Sequence, residues 1–245
     1  MKTSEKNRIP CFIVSLIVFA LVPGFVQGQN KTIVNSQHIW LAYMTSTKIN
    51  KNYSLWNDVH YVPNGFFIAR TGLTRHFDNI SITGGYTFAL LPMPTPEHNL
   101  GRIEHRPWGQ IQVVHPVNNT FSIINRIRYD ARFKEIMINE KQSDGYMFVN
   151  RIRFMSGIRK TFPKAAFDQY TPFLSMTNEV MINFGKNVTF NTFDQNWFQT
   201  SAGLQRKNLS VQIGYMNIYA QTGVSQFSSG HTLMMWVTHR FSLEK

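Results

Sequence analysis

Guanidinium groups recur in phase at period two in two stretches of the chain. Arg126, Arg128 and Arg132 share one phase with Asp130, and Arg151, Arg153 and Arg159 share another. Alternate side chains of an extended strand point to the same face, so each set forms one charged row. A guanidinium presents parallel N–H groups that match a carboxylate or a phosphate in two-point fashion. If the two strands are antiparallel neighbours, the rows oppose each other, and opposed like charges destabilise a ladder unless counter-charges approach. Glu104, Asp130 and Glu179 are the candidates for that role. The candidate binding cluster is therefore Arg126, Arg128, Asp130, Arg132, Arg151, Arg153, Glu179 and Glu104. Its chemistry is either a self-neutralising ion-pair network or a constriction that favours anions, phosphate or sugar acids.

Other chemistries find less support. The single cysteine, Cys11, lies near the start, which excludes thiol catalysis, cysteine–zinc sites and iron–sulfur clusters from the rest of the chain. The histidines His38, His60, His76, His98, His105, His115, His231 and His239 fall mostly at strand ends or in loops. The chain has no Gly-x-Ser-x-Gly, His-Glu-x-x-His or phosphate-loop pattern, so no catalytic residue, metal ligand or cofactor is assigned. Envelope lipid hydrolysis stays as an alternative, because a serine and a histidine far apart in sequence can meet in space. Trp56, Trp108, Trp197 and Trp236, with Tyr43, Tyr86 and Tyr215, are expected at membrane interfaces, with sugar stacking as the alternative. A formal charge of +12 raises nucleic-acid binding, but the basic residues alternate with apolar ones instead of forming a patch, so no nucleic-acid partner is expected.

The elements that must position these residues read as strands. Segments of period-two alternation are expected at Ile39–Lys48, Tyr53–Val62, Phe66–Arg75, Ser81–Leu90, Arg102–Val114, Phe121–Arg132, Phe148–Arg159, Tyr170–Asn183, Asn196–Arg206, Leu209–Tyr219 and Thr232–Phe241. Turn residues such as Pro63-Asn64-Gly65, Asp78-Asn79 and Lys207-Asn208 separate them. Joins near 115–120 and 207–208 read as short, and those near 91–101, 134–147, 184–195 and 221–230 as longer. Outer-membrane barrels have an even number of strands. That rule turns eleven segments into twelve, with an extra strand near Thr32–Gln37, or into ten if one is split wrongly.

The N-terminal segment reads as an address. Lys2, Lys6 and Arg8 precede the 12-residue apolar stretch Cys11–Val22, and Val26-Gln27-Gly28 offers a small-residue cleavage site. Residues 1–28 are therefore expected to be a secretory signal peptide and residues 29–245 a single β-barrel domain. Losing three basic groups and Glu5 takes the charge from +12 to +10. Aromatic residues at 14% against only 16% charged exclude a disordered chain. Apolar faces rich in Phe, Tyr, Trp, Met and Ile, polar faces with arginine in mid-strand and a last strand ending at Phe241 favour a membrane barrel over a soluble sandwich.

Several segments together resemble the bacterial outer-membrane barrel family catalogued as domain of unknown function 2490 (DUF2490), common in Bacteroidetes. They are Trp40, Gly84-Gly85-Tyr86, Glu104-His105-Arg106-Pro107-Trp108-Gly109-Gln110, Asn125-Arg126-Ile127-Arg128 with Arg132, Asn150-Arg151-Ile152-Arg153, Asn178-Glu179, Phe193-Asp194-Gln195-Asn196 and Gly214-Tyr215-Met216. The resemblance implies a barrel in the Gram-negative outer membrane and no activity. The expectation is an all-β, transmembrane, antiparallel up-and-down barrel of about twelve strands, non-enzymatic, with an Arg/Glu-lined and largely filled lumen. A structural or interaction role follows, with a narrow, porin-like anion channel as the alternative. Expected partners are outer-membrane lipid, lipopolysaccharide (through Lys48, Lys51, Arg102 or the Lys134–Lys141 segment) and envelope proteins.

Overall fold

The computed structural model describes residues 31–91, 101–138, 141–163, 167 and 169–244. Among them, eleven strands close into one barrel: β1 (Thr32–Lys48), β2 (Tyr53–Tyr61), β3 (Phe67–Phe77), β4 (Ile80–Leu91), β5 (Arg102–Asn118), β6 (Phe121–Ile138), β7 (Lys141–Thr161), β8 (Thr171–Phe184), β9 (Phe193–Arg206), β10 (Leu209–Gln221) and β11 (Gln226–Ser242). The expected signal peptide, residues 1–28, and His98 lie outside the described residues.

Each strand pairs antiparallel with the next, as the alternating pattern requires, and the all-β barrel is as expected. The count is not: the barrel has neither twelve strands nor ten. Thr32–Gln37 is the opening of β1, which runs unbroken to Lys48. In a meander of eleven strands the first and last run the same way. They close in parallel, from Thr32 opposite Gln226 to Lys48 opposite Ser242. Parallel pairing is slightly weaker per residue, and here the seam extends over all 17 residues of each strand. The 134–147 segment is also not a loop. Pairing of β6 with β7 continues through Glu135 opposite Tyr146 to Ile138 opposite Lys141, past a register shift beside Gly145, whose φ of +97° favours glycine.

Partners followed once around the barrel start at Lys48 on β1 and pass Ser54, Thr74, Thr83, Gln110, Arg128, Arg153, Met181, Gln195, Ala220 and Ser228. The path returns to β1 at Val34, a stagger of 14 residues (48 − 34). With ordinary strand spacing and rise, that stagger in eleven strands tilts them by about 40° and sets a backbone radius of about 11 Å. β1 begins at one mouth and β11 ends at the other; these are the N-terminal and C-terminal mouths. The two-residue turns Asp78-Asn79, Asn119-Thr120 and Lys207-Asn208 all lie at the C-terminal mouth.

Alternation sorts the side chains to two faces of opposite character. Ile39, Leu41, Ile82, Ile111, Ile127, Phe154, Val211, Ile213, Leu233 and Met235 stand exposed on the outer wall. Inside are Glu104, Arg106, Arg128, Asp130, Arg132, Arg151, Arg153 and Glu179, all buried. The inner wall carries an apolar cluster as well, formed by Trp40, Val62, Met216 and Met234 with Phe66, Trp197 and Trp236 against it. The β2–β3 turn tucks Phe66 under Trp40, ring centroids 4.8 Å apart.

Candidate functional site

The charged rows face each other as their phase requires. β6 and β7 pair Arg128 with Arg153 and Asp130 with Arg151, so one opposed pair is like-charged and the next is opposite. The repulsion is relieved because the two arginines turn apart. Arg128 donates from Nε and Nη2 to Gln110 Oε1 on β5, at 3.0 and 2.6 Å, and lies 4.3 Å over the Trp108 ring. Arg153 turns to β8, where Nε and Nη2 reach the two oxygens of Glu179 at 2.9 and 2.7 Å. The Trp108 ring itself lies against Gly85, where an added Cβ would stand 2.9 Å from the ring and 2.1 Å from the Thr71 carbonyl. Only glycine allows that approach.

From there the ions form a single alternating chain across five strands. Arg106 and Arg132 share Glu104, with Arg132 Nε at 2.6 Å from Oε1 and Nη2 at 3.1 Å from Oε2. Arg132 Nη1 reaches Asp194 at 3.3 Å, and Arg151 Nη1 reaches the same oxygen at 3.0 Å. Arg151 Nη2 continues to Asp130 at 2.7 Å, and Arg153 Nη1 lies 3.7 Å from it. Glu179 then joins Arg153 to Arg126, whose Nη2 is 2.7 Å away. Taking two charges out of water costs several kcal/mol per ion, and such a chain is tolerated only because each carboxylate has at least two guanidiniums within 4 Å and accepts from at least one of them.

The structure thus brings all eight sequence-predicted residues together, Arg128 through Gln110 and Trp108 instead of an acid. It also adds Arg106 and Asp194, both within segments that carried the family resemblance. Asp194 reaches the lumen through an irregularity: Met181 faces Gln195 but Ile182 faces Phe193, so the extra residue turns inward. On the opposite wall a second cluster escaped notice. Asp58 accepts from Arg70 Nε at 2.7 Å and from Trp56 Nε1 at 2.5 Å, and Trp40 Nε1 donates to His60 Nδ1 at 2.9 Å. Asp58 and Arg70 sit at alternating positions of their strands, and that phase was the available signal.

The aromatic expectation needs correcting. Trp56, Trp108, Trp197 and Trp236 lie in the lumen, in phase with the polar rows. Trp197 packs 5.1 Å from Trp40 and 5.2 Å from the Arg153 guanidinium, and Trp236 packs 6.2 Å from Trp40. The Trp56 and Trp197 N–H groups donate to Asp58 and Gln195, and the rings pack against one another and the guanidiniums. Tyr43, Tyr86 and Tyr215 do face outward, next to His239, His105 and His231. Serine meets histidine at Ser36–His38 (2.9 Å) and Ser54–His76 (2.8 Å), and among the described residues neither histidine has an ion-paired carboxylate. The basic residues assigned to lipopolysaccharide divide: Lys48 and Lys51 belong to the C-terminal mouth, Arg102 and Lys134 to the half of the barrel nearer the other. They cannot serve one surface.

A family model described as protein of unknown function (DUF2490) matches residues 37–227, and the chain belongs to that family. No curated protein and no solved structure matches the chain.

Proposed function

We propose that this DUF2490 protein is an outer-membrane β-barrel whose lumen is closed by its own ionic chain, serving as a non-enzymatic structural or interaction component. The observation that carries this reading is the inverted polarity of the wall. A barrel folded in water buries its apolar face, whereas this one exposes Ile39, Ile82, Ile127 and Ile213 outside and buries Arg128, Arg151 and Glu179 inside. Only a hydrocarbon surround makes that arrangement favourable. The expected signal peptide supports export. Three of the five connections at the C-terminal mouth are two-residue turns, beside one of four residues and one of nine, and this excess of short turns favours that mouth as the periplasmic one. Lipopolysaccharide contact then falls to the Arg102 and Lys134 side, and lipid to the exposed wall.

Contacts between strands that are not neighbours in the sheet support closure. Arg132 on β6 reaches Asp194 on β9, and Trp40 on β1 reaches Trp197 on β9. The test is planar-bilayer conductance of the refolded protein, once its resistance to cold detergent shows that it is folded. A silent, folded barrel is the expected result. Reproducible anion-selective steps that change in Arg126→Ala or Arg153→Ala would replace this reading with a narrow pore. Phospholipid turnover abolished by a single serine or histidine substitution would replace it with an enzyme.

A further inference from the structure

The C-terminal mouth opens into a cavity of about 1060 Å³ whose charged lining is Lys48, Lys51, Lys207 and Arg240, with His76 beside them. Ser46, Ser54 and Ser242 add hydroxyls. Glu244, next to the lining residue Leu243, is engaged with Lys48 at 2.7 Å. Among the described residues Lys51, Lys207 and Arg240 make no ion pair. The surroundings bring no relief, because Arg159, at the same end of the lumen, donates to Gln205 at 3.0 Å and stacks on Phe173 at 3.6 Å instead of meeting a carboxylate. Three elements hold the unpaired cations. Arg240 is on β11, with its backbone N–H held by the Asn208 carbonyl, Lys51 is in the β1–β2 turn, and Lys207 is at the tip of the two-residue β9–β10 turn with φ +45°.

We propose that this vestibule binds phosphate-bearing anions of two or more charges. Three unpaired cations around one cavity repel each other, and a compact multivalent anion removes that repulsion at a single site. Arg240 offers a planar two-point contact, the lysines offer point charges, and Ser46 and Ser242 offer hydroxyl donors, a set suited to phosphate oxygens. The volume accepts a pyrophosphate, a sugar phosphate or the headgroup of a phosphomonoester lipid. The site is distinct from the ionic chain in mid-lumen, and it goes beyond the scaffold reading: a closed lumen makes it a blind cup, an open one an entrance.

The test is titration calorimetry of the full, folded protein in a zwitterionic detergent with inorganic pyrophosphate, beside chloride at matched ionic strength. A second arm measures binding to phosphatidylcholine vesicles with and without phosphatidic acid, which separates a free from a lipid-borne phosphate. Saturable binding in either arm, weakened about tenfold or more in Lys207→Gln/Arg240→Gln and by added salt, is the expected result. Pyrophosphate and phosphatidic acid binding no better than chloride and phosphatidylcholine would overturn the proposal. So would unchanged binding in a double variant that keeps its resistance to cold detergent. Conductance does not enter this readout, so failure here leaves the scaffold reading standing.

Discussion

Midway along the lumen, Arg153 sets two N–H groups on the two oxygens of Glu179, and Arg126 joins them. At the C-terminal mouth, Lys51, Lys207 and Arg240 share a cavity and, among the described residues, make no ion pair. Both regions are lined by arginine or lysine on inward-facing positions and turns, yet in one the arginines other than Arg128 meet carboxylates within the fold and in the other Lys51, Lys207 and Arg240 do not. Water explains the difference. Inside the barrel an unpaired ion carries a large desolvation cost, so an acid stands beside every guanidinium of the cluster except Arg128, which Gln110 and the Trp108 ring hold instead. At the mouth solvent screens the charges, and excess positive charge is tolerable and available to a ligand.

If that contrast is correct, removing an acid from the middle should have the largest effect. Glu104→Ala leaves Arg106 without its carboxylate and Arg132 with the 3.3 Å contact to Asp194 as its one ion pair, beside Asn183 at 3.4 Å. Glu179→Ala strands Arg126 in the same way. Each should destabilise the barrel by about 3–5 kcal/mol, read as a lower denaturant midpoint in equilibrium unfolding. An unchanged midpoint for both would mean that the chain is solvated and the lumen open.

Gly85→Ala comes next, costing about 1–3 kcal/mol, because the new Cβ would collide with the Thr71 carbonyl and the Trp108 ring that seats Arg128. Gly84→Ala, one residue away with nothing within 4 Å of the new Cβ, should unfold like the wild type. Equal behaviour of the two would refute the position given to Trp108. Trp108→Leu removes the ring beneath Arg128 and should cost about 1–2 kcal/mol by the same measurement. The smallest effect belongs to the mouth. Lys48→Ala, which breaks an exposed pair with Glu244, should change stability by less than about 1 kcal/mol, and salt should diminish even that. A mouth pair as costly to break as Glu179 would erase the distinction between the two regions.

Much of the site was legible because strand phase is a local property. Arg126, Arg128, Asp130 and Arg132 had to share a face whatever the fold, and so did Arg151 and Arg153. Less was legible where long-range closure decides. The even-strand rule argued for a twelfth strand at Thr32–Gln37, but β11 pairs with those residues in parallel and absorbs them into β1. Asp194 could not be assigned a face, because the irregularity that turns it inward depends on how β9 meets β8. The tryptophans were misplaced because an amphipathic ring suits both an interface and a polar lumen, and only parity with neighbours such as Asp58 and Gln195 separates the two.

The amino-acid sequence by itself determined that the chain is all-β, that each strand has one apolar and one charged face, and that arginine would need carboxylates close at hand, since side-chain alternation and charge repulsion act over a few residues. The tertiary structure alone decided that eleven strands close in parallel, that the charged faces turn inward, and that a stagger of 14 residues brings the acids of β5, β8 and β9 to the arginines of β6 and β7. Register around a closed barrel is set by all eleven pairings at once, and no single strand carries that information.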